Sequence, residues 1–243
     1  MTKPKRNFEN RYELIARRLP PRVAARLDLR RPSLRFPWGG PLNGQERRCE
    51  LLQELATSTH FDLVIETGTY RGTSTELFAA LFDAPIISAE LDPRMYHYSK
   101  RRLSAWPSIT VQHGDSRAVL ERSAENVSGS NETLFAYLDA HWHSDLPLAG
   151  ELEIIASNWK SAIVLIDDFQ VPDDKGYRFD DYGEGKALTK EYLPTSVLSG
   201  WSLYYPLASS SEETGAKRGC CVLMSPNLSS TLQVPSLRLA EVL

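Results

Sequence analysis

Short apolar segments alternate with longer amphipathic segments along most of this chain. Apolar runs bounded by turn residues predict buried strands, and apolar positions three or four residues apart predict helices. The predicted strands cover residues 61–66, 84–89, 109–113, 134–138, 162–166, 201–206 and 218–224. Predicted helices lie between the first five strands, and an amphipathic helix over 45–58 precedes them. This order predicts an α/β fold with a mostly parallel sheet, which binds ligands at the carboxyl edge of its strands.

The first predicted strand leads into a glycine turn that organises the rest of the chain. Glu66 ends the strand, Gly68 and Gly72 bracket the turn, and a helix begins at Thr73. A dinucleotide site has Gly-x-Gly-x-x-Gly here, but Tyr70 stands at the second glycine position, which disfavours a nicotinamide dehydrogenase. A carboxylate repels phosphate, whereas Glu66 would attract a sulfonium and an amino group. The alternative is a tight turn in another kind of α/β protein.

The second and third predicted strands also end in polar residues. Glu90 follows the second strand, about 20 residues beyond the glycine turn, a position that suits hydrogen bonds to ribose hydroxyls. Asp115 and Ser116 follow the third strand and suit hydrogen bonds to an adenine edge. Either of these two residues can equally cap the helix that begins there.

Acidic residues cluster at the ends of the fourth and fifth predicted strands. Asp139 follows the fourth strand, and Asp167 and Asp168 follow the fifth. Three carboxylates at neighbouring strand ends repel one another unless a cation compensates them, and oxygen ligands suit Mg²⁺. Nearby histidines leave Mn²⁺ or Zn²⁺ open. The alternative is a set of helix caps and hydrogen-bonded turn acids.

These motifs together resemble class I S-adenosylmethionine (SAM) methyltransferases, and the three aspartates resemble the metal triad of cation-dependent O-methyltransferases. Both the catechol type and the macrocin or sugar type have an acid after the fourth strand and an Asp-Asp or Asp-Asn pair after the fifth. The resemblance covers residues 45–224 and implies a Rossmann-like fold, whose seven-stranded, mostly parallel sheet has an antiparallel last strand. The implied metal ligands are Asp139, Asp167 and Asp168. The implied SAM contacts are Glu66, Gly68, Thr69, Gly72, Ser74, Glu90, Asp115, Ser116 and Asp139.

The predicted catalytic base is one of two histidines. The sugar type has an acid two residues after the first metal-binding Asp, where this chain has His141. The catechol type has a Lys after a His-Trp pair, and here His143 stands in that place. An imidazole titrates near neutral pH, so it can take a proton from an acceptor hydroxyl. We favour His141 over His143.

The resemblance implies a Mg²⁺-dependent (or Mn²⁺-dependent) O-methyltransferase that acts on a sugar or glycoside, such as a methylmannoside. A long acidic and aromatic loop over 169–185 suits a hydroxyl-rich acceptor, and it contains Tyr177, Asp180, Asp181 and Tyr182. A catechol or phenol is the second acceptor class, for which Trp38 and Trp142 would supply an apolar slot.

Two rival functions come from different classes of protein. One is a catalytically inactive cofactor-binding module, which would have the same motifs. The second is a nucleic-acid methyltransferase, which is disfavoured because residues 139–142 lack the Asn/Asp-Pro-Pro-aromatic motif of amino-methylating enzymes.

Charge divides the chain into two parts. Residues 1–48 contain thirteen Lys or Arg and four Asp or Glu, whereas the whole chain of 243 residues has a net charge of −3. We predict a basic N-terminal helical arm and flap over 1–44 and a methyltransferase domain over 45–243. We favour an arm that lies against the acidic body, within the monomer or across a homodimer. The alternative is an arm that binds a polyanion, which is disfavoured because the basic residues lack the interleaved aromatics of a nucleic-acid groove.

Composition and segment lengths complete these expectations. Three cysteines, two of them adjacent, form no disulfide framework, and no apolar run reaches the length of a membrane span. We therefore expect a cytoplasmic enzyme with a small-molecule substrate and with neither nucleic acid nor membrane as a partner.

Overall fold

A single mixed sheet forms the centre of the molecule. The computed structural model describes residues 12–127, 131–140 and 145–240. The strands in these ranges are β1 (Leu63–Thr67), β2 (Ile86–Glu90), β3 (Ile109–His113), β4 (Thr133–Leu138), β5 (Ser161–Asp167), β6 (Ser202–Pro206), β7 (Cys220–Met224) and β8 (Leu237–Leu239). They lie in the order β3-β2-β1-β4-β5-β7-β6-β8.

Helices connect the first five strands and cover both faces of the sheet. The first helix, α1, is described over residues 12–16. The others are α2 (Pro21–Asp28), α3 (Glu46–Ser58), α4 (Thr73–Leu81), α5 (Pro93–Arg102), α6 (Ser116–Val127), α7 (Leu148–Asn158), α8 (Thr195–Leu198) and α9 (Pro226–Ser229). Three short 3₁₀ turns, Pro32–Leu34, Pro37–Gly39 and Pro41–Gly44, lead from α2 to α3.

The directions of the strands confirm the predicted fold class. Strands β1 to β5 are parallel to one another, and β7 pairs with β5 in the antiparallel direction. The prediction of seven strands misses β8, which pairs antiparallel with β6 through Tyr204 and Leu239. This edge strand lies in the tail after Pro226 and has only three residues, which is too short for an alternating pattern to predict a strand.

The order of the strands fixes where a ligand can bind. Crossovers run from β1 outward to β2 and β3, and then return to the other side of β1 at β4. The connections after β1 and β4 therefore lead away from each other and leave a crevice at the carboxyl edge, the usual ligand position in such sheets. Glu66 and Asp139 lie on the two sides of this crevice.

Two apolar layers hold the sheet in place. Alternate residues of a strand point to opposite faces. On β1, Leu63 and Ile65 belong to the layer with α6 and α7, whereas Val64 belongs to the layer with α3 and α4. Since both faces are covered, the central strands are apolar almost throughout, which is why short apolar runs predicted them well.

An ion-pair cluster fastens the N-terminal helices to α5. Arg94, in the first turn of α5, donates to Asp28 at 2.7 Å and to Glu13 at 2.7 Å. The Tyr12 hydroxyl donates to the same Asp28 at 2.5 Å. Asp28 is fully buried, so this cluster fixes α1 and α2 beside the crevice. The rest of the predicted arm, residues 1–11, lies outside the described ranges.

Candidate functional site

A cavity of about 1590 Å³ opens at the carboxyl edge of the sheet. The segments that follow strands β1 to β5 line it, together with residues of α1, α2 and the 37–43 segment. Ten of the predicted site residues line it: Glu66, Gly68, Thr69, Ser74, Glu90, Asp115, Ser116, Asp139, Asp167 and Asp168. The structure therefore brings together most of the residues that the sequence singled out.

Glu66 is a buried carboxylate at the end of β1. Its Oε2 accepts hydrogen bonds from Thr75 Oγ1 and Ser88 Oγ, each at 2.5 Å. Burial raises the pKa of Glu66 to about 8, although these two hydroxyls act in the opposite direction. A cationic ligand in the cavity would favour the ionised form of this group.

The two glycines of the turn are needed for different physical reasons. Gly68 has φ 90°, and a Cβ there would lie 2.6 Å from the backbone oxygen of Asp139. Only a glycine lets the β1 turn approach the β4 turn so closely. Gly72 has φ 73° and packs against Leu103, where a Cβ would lie 2.8 Å from Cδ1. Its place in the motif is thus explained by packing of the turn.

Glu90 joins the turns after β1 and β2. Its two carboxylate oxygens accept from the backbone N–H groups of Tyr70 at 2.6 Å and Asp92 at 2.8 Å. Burial raises the pKa of Glu90 to about 7. Asp92 caps α5 by accepting from the backbone N–H of Met95 at 2.8 Å, so Glu90 is not needed for that role. A carboxylate oxygen has two lone pairs, which leaves capacity for ribose hydroxyls.

Asp115 and Ser116 lie at the start of α6. Asp115 accepts from the backbone N–H of Arg117 at 2.9 Å and from its guanidinium Nη2 at 2.6 Å, which confirms the capping alternative for this residue. The same guanidinium donates to Asp145 at 2.7 Å and so draws the segment before α7 toward α6. Ser116 is buried and lines the cavity. The adenine role of both residues stays a prediction.

Asp167 is enclosed by partners that the sequence analysis missed. Arg48 of α3 donates Nη1 to Asp167 Oδ1, and the Tyr137 hydroxyl of β4 donates to Oδ2 at 2.5 Å. All three side chains are buried. Burial alone would raise the pKa of Asp167, but Arg48 and the Tyr137 hydroxyl outweigh it and hold that pKa below its usual value.

Asp168 is paired with a second arginine, Arg218. Arg218, just before β7, donates Nε to Asp168 Oδ1 at 2.6 Å and Nη2 to Asp180 Oδ1. Burial and the neighbouring Asp167 nevertheless raise the pKa of Asp168 to about 7. Asp168 has φ 53°, a left-handed conformation that Asp tolerates better than most residues.

Asp139 faces the cavity beside these two pairs. Burial, followed by the charges of Asp167 and Asp168, raises its pKa well above the usual range. Its backbone N–H donates to the Thr67 carbonyl at 3.0 Å, which holds the β4 turn against β1. A cationic group bound at this point would offset the accumulated negative charge.

The carboxylates as described do not fit the expected three-aspartate metal site. Within the described ranges, no group of three or more His, Cys, Asp or Glu is arranged to hold a metal ion. Oδ1 of Asp167 accepts from both Arg48 and the Asp168 backbone N–H, Oδ2 accepts from Tyr137, and Asp168 is paired with Arg218. Two arginines therefore supply positive charge at these carboxylates, so a metal ion is not required to compensate them.

The two predicted bases lie beyond the part of the chain that the structure describes. His141 and His143 fall within residues 141–144, between two described ranges. Their flanking residues, Ala140 and Asp145, both line the cavity. The assignment of either histidine as the base stays a prediction.

An aromatic pair lines part of the cavity. The rings of Trp38 and Tyr70 stack with centroids 5.4 Å apart and planes 10° from parallel. Both residues line the cavity, and both have left-handed backbones, with φ 50° and 46°. Tyr70 thus occupies a position in the glycine turn that a second glycine would fill in a dinucleotide site.

Some of the missed residues leave a trace in the sequence. Arg48 stands on the apolar face of α3, with Leu51, Leu52 and Leu55 at helical spacing. A charged residue on such a face has to meet a buried partner of opposite charge. Arg218 leaves no comparable trace, because its approach to Asp168 depends on the antiparallel pairing of β7 with β5.

Comparisons with known proteins bear on the fold. No protein-family model and no curated protein matches the chain. An O-methyltransferase from Bacillus cereus in complex with SAH matches with a TM-score of 0.52 and 14% identity over 74% of this chain and 79% of its own. The O-methyltransferase TomG from Streptomyces achromogenes, in complex with SAM, matches with a TM-score of 0.50 and 13% identity over 74% of this chain and 78% of its own. This chain has the Rossmann-like methyltransferase fold.

Another match of this fold has a different acceptor atom. The N-methyltransferase NodS from Bradyrhizobium japonicum WM9, in complex with S-adenosyl-L-homocysteine, matches with a TM-score of 0.51 and 13% identity over 85% of this chain and 98% of its own. The fold therefore does not by itself select the atom that is methylated. None of the helices in the described ranges is long and apolar enough to cross a membrane.

Proposed function

We propose that this protein is a SAM-dependent O-methyltransferase that acts on a hydroxyl of a small, hydroxyl-rich acceptor, in the first place a sugar or glycoside. The observation that supports this most directly is the arrangement of Glu66, Glu90 and Asp139 around one cavity at the switch point of a methyltransferase fold. These carboxylates suit a ligand with an ammonium group, a sulfonium and a ribose diol.

The chemistry asks little of the protein beyond placement. The acceptor oxygen attacks the methyl carbon in line, the bond from carbon to sulfur breaks, and S-adenosylhomocysteine leaves as a neutral thioether. The acceptor proton passes to a base, for which His141 is the first candidate and His143 the second. Holding donor and acceptor in this alignment accounts for much of the acceleration in such transfers.

Two residues of the predicted acceptor loop do reach the cavity. Asp180 and Tyr182 line it, and the Tyr182 hydroxyl donates to Asp180 at 2.5 Å. Tyr177 is instead buried and donates to the Ala208 carbonyl at 3.0 Å. Together with the exposed ring of Trp38, Asp180 and Tyr182 supply the carboxylate and aromatic surfaces that a sugar uses. A flat catechol or phenol is the second candidate acceptor, and Trp38 favours it as much as it favours a sugar.

Two secondary proposals are that the activity depends on a metal ion and that the protein forms a homodimer. Dependence on Mg²⁺ or Mn²⁺ would place a divalent cation beside the Arg48 guanidinium that is paired with Asp167, so no step above is assigned to a metal. A homodimer is proposed only from the uneven charge of the chain.

Calorimetry with SAM, followed by a methyl-transfer screen, tests the proposed function. Uncharged sugars, methyl glycosides, catechols and primary amines would be offered with MgCl₂ or with EDTA, and S-adenosylhomocysteine and the methylated product would be measured by mass spectrometry. We expect SAM binding that E90Q weakens and the exposed control E191Q leaves unchanged. Absence of SAM binding would refute the proposal, whereas binding without turnover would favour the inactive cofactor-binding module. Methylation of amines alone would contradict an oxygen acceptor.

A further inference from the structure

The N-terminal surface, defined here as residues 12–38, exposes an unusual number of large apolar side chains. Eight such side chains are exposed in the described ranges, and five of them lie on this surface. They are Leu14, Ile15, Val23, Phe36 and Trp38. Exposed apolar side chains that gather on one part of a molecule indicate an interaction site more often than scattered ones do.

The same surface is strongly basic. Its exposed charged residues are Arg17, Arg18, Arg22, Arg26, Arg30 and Arg35. The two acids in this segment, Glu13 and Asp28, are both bound to Arg94 of α5. Asp28 is buried, whereas Glu13 is partly exposed and also pairs with Arg17 at 3.7 Å. Six exposed arginines against this one acid leave the outer charge positive.

The helical spacing of α2 places its arginines on one side. Arg22 and Arg26 are four residues apart, so they share a face, and Val23 adjoins them. The opposite face contains Ala24, Ala25 and Asp28, which are buried against the body of the protein. Exposed arginines with interspersed apolar residues thus form the outer side of this helix.

We propose that the N-terminal surface docks the protein peripherally on an anionic membrane surface. Arginines are attracted to anionic headgroups, and apolar side chains beside them enter the boundary with the acyl chains. This proposal replaces the sequence-based expectation that the protein has no membrane partner, which rested on the absence of a spanning segment.

Two further kinds of occupant fit the surface less well. A second copy of the chain would offer acidic residues, but its remaining exposed large apolar side chains are few within the described ranges: Leu91, Leu207 and Leu239. Two of these lie at the β6–β8 edge, at the other end of the sheet from β2 and β3. A nucleic acid would use the arginines but would leave Leu14 and Ile15 in water.

Docking in this orientation would place the entrance of the site at the membrane. Arg17 and Trp38 belong to the N-terminal surface and also line the cavity. An acceptor that is dissolved in or concentrated at the lipid surface would then reach the cavity directly. The docking proposal does not depend on the identity of this acceptor.

Vesicle co-sedimentation of the full chain tests the proposal. Vesicles of phosphatidylcholine alone would be compared with vesicles that also contain phosphatidylglycerol, at low and at physiological salt. We expect binding only to the anionic vesicles, and weakening by about tenfold or more in R22E/R26E, where two attractions become repulsions. The matched control is K160E/K175E, which reverses two exposed lysines of the body and should bind like the unmodified protein.

A second variant and an independent readout separate docking from misfolding. L14S/I15S should also weaken binding to anionic vesicles, and circular dichroism and SAM affinity should match those of the unmodified protein in all variants. Equal binding to neutral vesicles, no binding to either kind, or an equal loss in K160E/K175E would overturn the proposal. Self-association or DNA binding that R22E/R26E abolishes, without any vesicle binding, would overturn it in favour of another partner.

Discussion

Arg48 and Asp167 form a buried ion pair that joins α3 to the carboxyl end of β5. Arg48 also donates Nη2 to the Arg218 carbonyl, and its backbone N–H donates to Glu213 at 3.1 Å. The pair thus connects a helix that precedes the sheet to the strand end that carries the predicted metal ligands. Its role is to compensate charge at the floor of the cavity.

Removal of this arginine should be costly. R48M leaves the buried carboxylate of Asp167 with two hydrogen-bond donors, the Tyr137 hydroxyl and the Asp168 backbone N–H, but without its cation. Breaking such a buried pair costs about 3–5 kcal/mol. The control is R47M, next in the chain, which removes an exposed pair with Glu50 at 2.7 Å and should leave the free energy of unfolding nearly unchanged. Urea unfolding measures both. The double variant R48M/D167N should recover part of the loss, and equal effects of R48M and R47M would contradict a buried pair.

The sequence predicted the parallel part of the fold well for a physical reason. Central strands that are covered on both faces have to be apolar, and the turns at their carboxyl ends have to be polar or small. Val64 and Gly68 illustrate the two requirements, one in the core and one under the Asp139 carbonyl. Strand β8 lies at the edge of the sheet and is not subject to these two requirements, so its sequence lacks the apolar run and polar turn of the central strands.

The sequence predicts which residues gather at the candidate site but not which side chains pair there. Sequence spacing placed Asp139, Asp167 and Asp168 at one edge, where the structure has them. It could not show that Arg48 and Arg218 approach from α3 and β7, because these partners are 119 and 50 residues away along the chain. Long-range pairing of this kind follows from the topology of the sheet.

Gly68 should tolerate no side chain. G68A would place a Cβ 2.6 Å from the Asp139 oxygen in a left-handed conformation, at a cost of about 1–3 kcal/mol from the backbone conformation alone. Since the β1 and β4 turns would be forced apart, SAM affinity should fall as well. The control is G200A, where a Cβ meets no atom within 4 Å. Thermal unfolding and calorimetry with SAM would show the difference, and similar results for both variants would argue against a close approach of the two turns.

The burial of Glu66 should make the stability of the protein depend on pH. Its pKa rises from 4.5 to about 8, so between these values the unfolded chain has lost a proton that the native protein retains. The free energy of unfolding of the ligand-free protein should therefore decrease as pH rises through this window. Thermal unfolding between pH 5 and pH 8.5 would measure this decrease, and E66Q, which does not titrate, should reduce it. An identical profile for E66Q would show that other groups are responsible.

Binding of SAM should oppose the effect of burial on the protonation of Glu66. The sulfonium and ammonium groups of SAM favour the ionised form of Glu66, so binding should release protons and become tighter between pH 6 and pH 8. Calorimetry at pH 7 in two buffers with different ionisation enthalpies counts the protons released. E66Q should release fewer, and equal proton release in both proteins would place the titrating group elsewhere in the cavity.

Competition between Arg48 and a metal ion provides the sharpest test of the magnesium expectation. The guanidinium places a positive charge against Asp167, so Arg48 and a metal ion at this carboxylate should disfavour each other. If R48M remains folded, it should bind Mn²⁺ more tightly than the unmodified protein, whereas R47M should not. Electron paramagnetic resonance of free Mn²⁺ after dialysis would measure this without reference to activity. Stoichiometric Mn²⁺ binding that is equal in the unmodified protein and R48M, and is lost in D167N, would show that Asp167 serves as a metal ligand despite its pairing with Arg48.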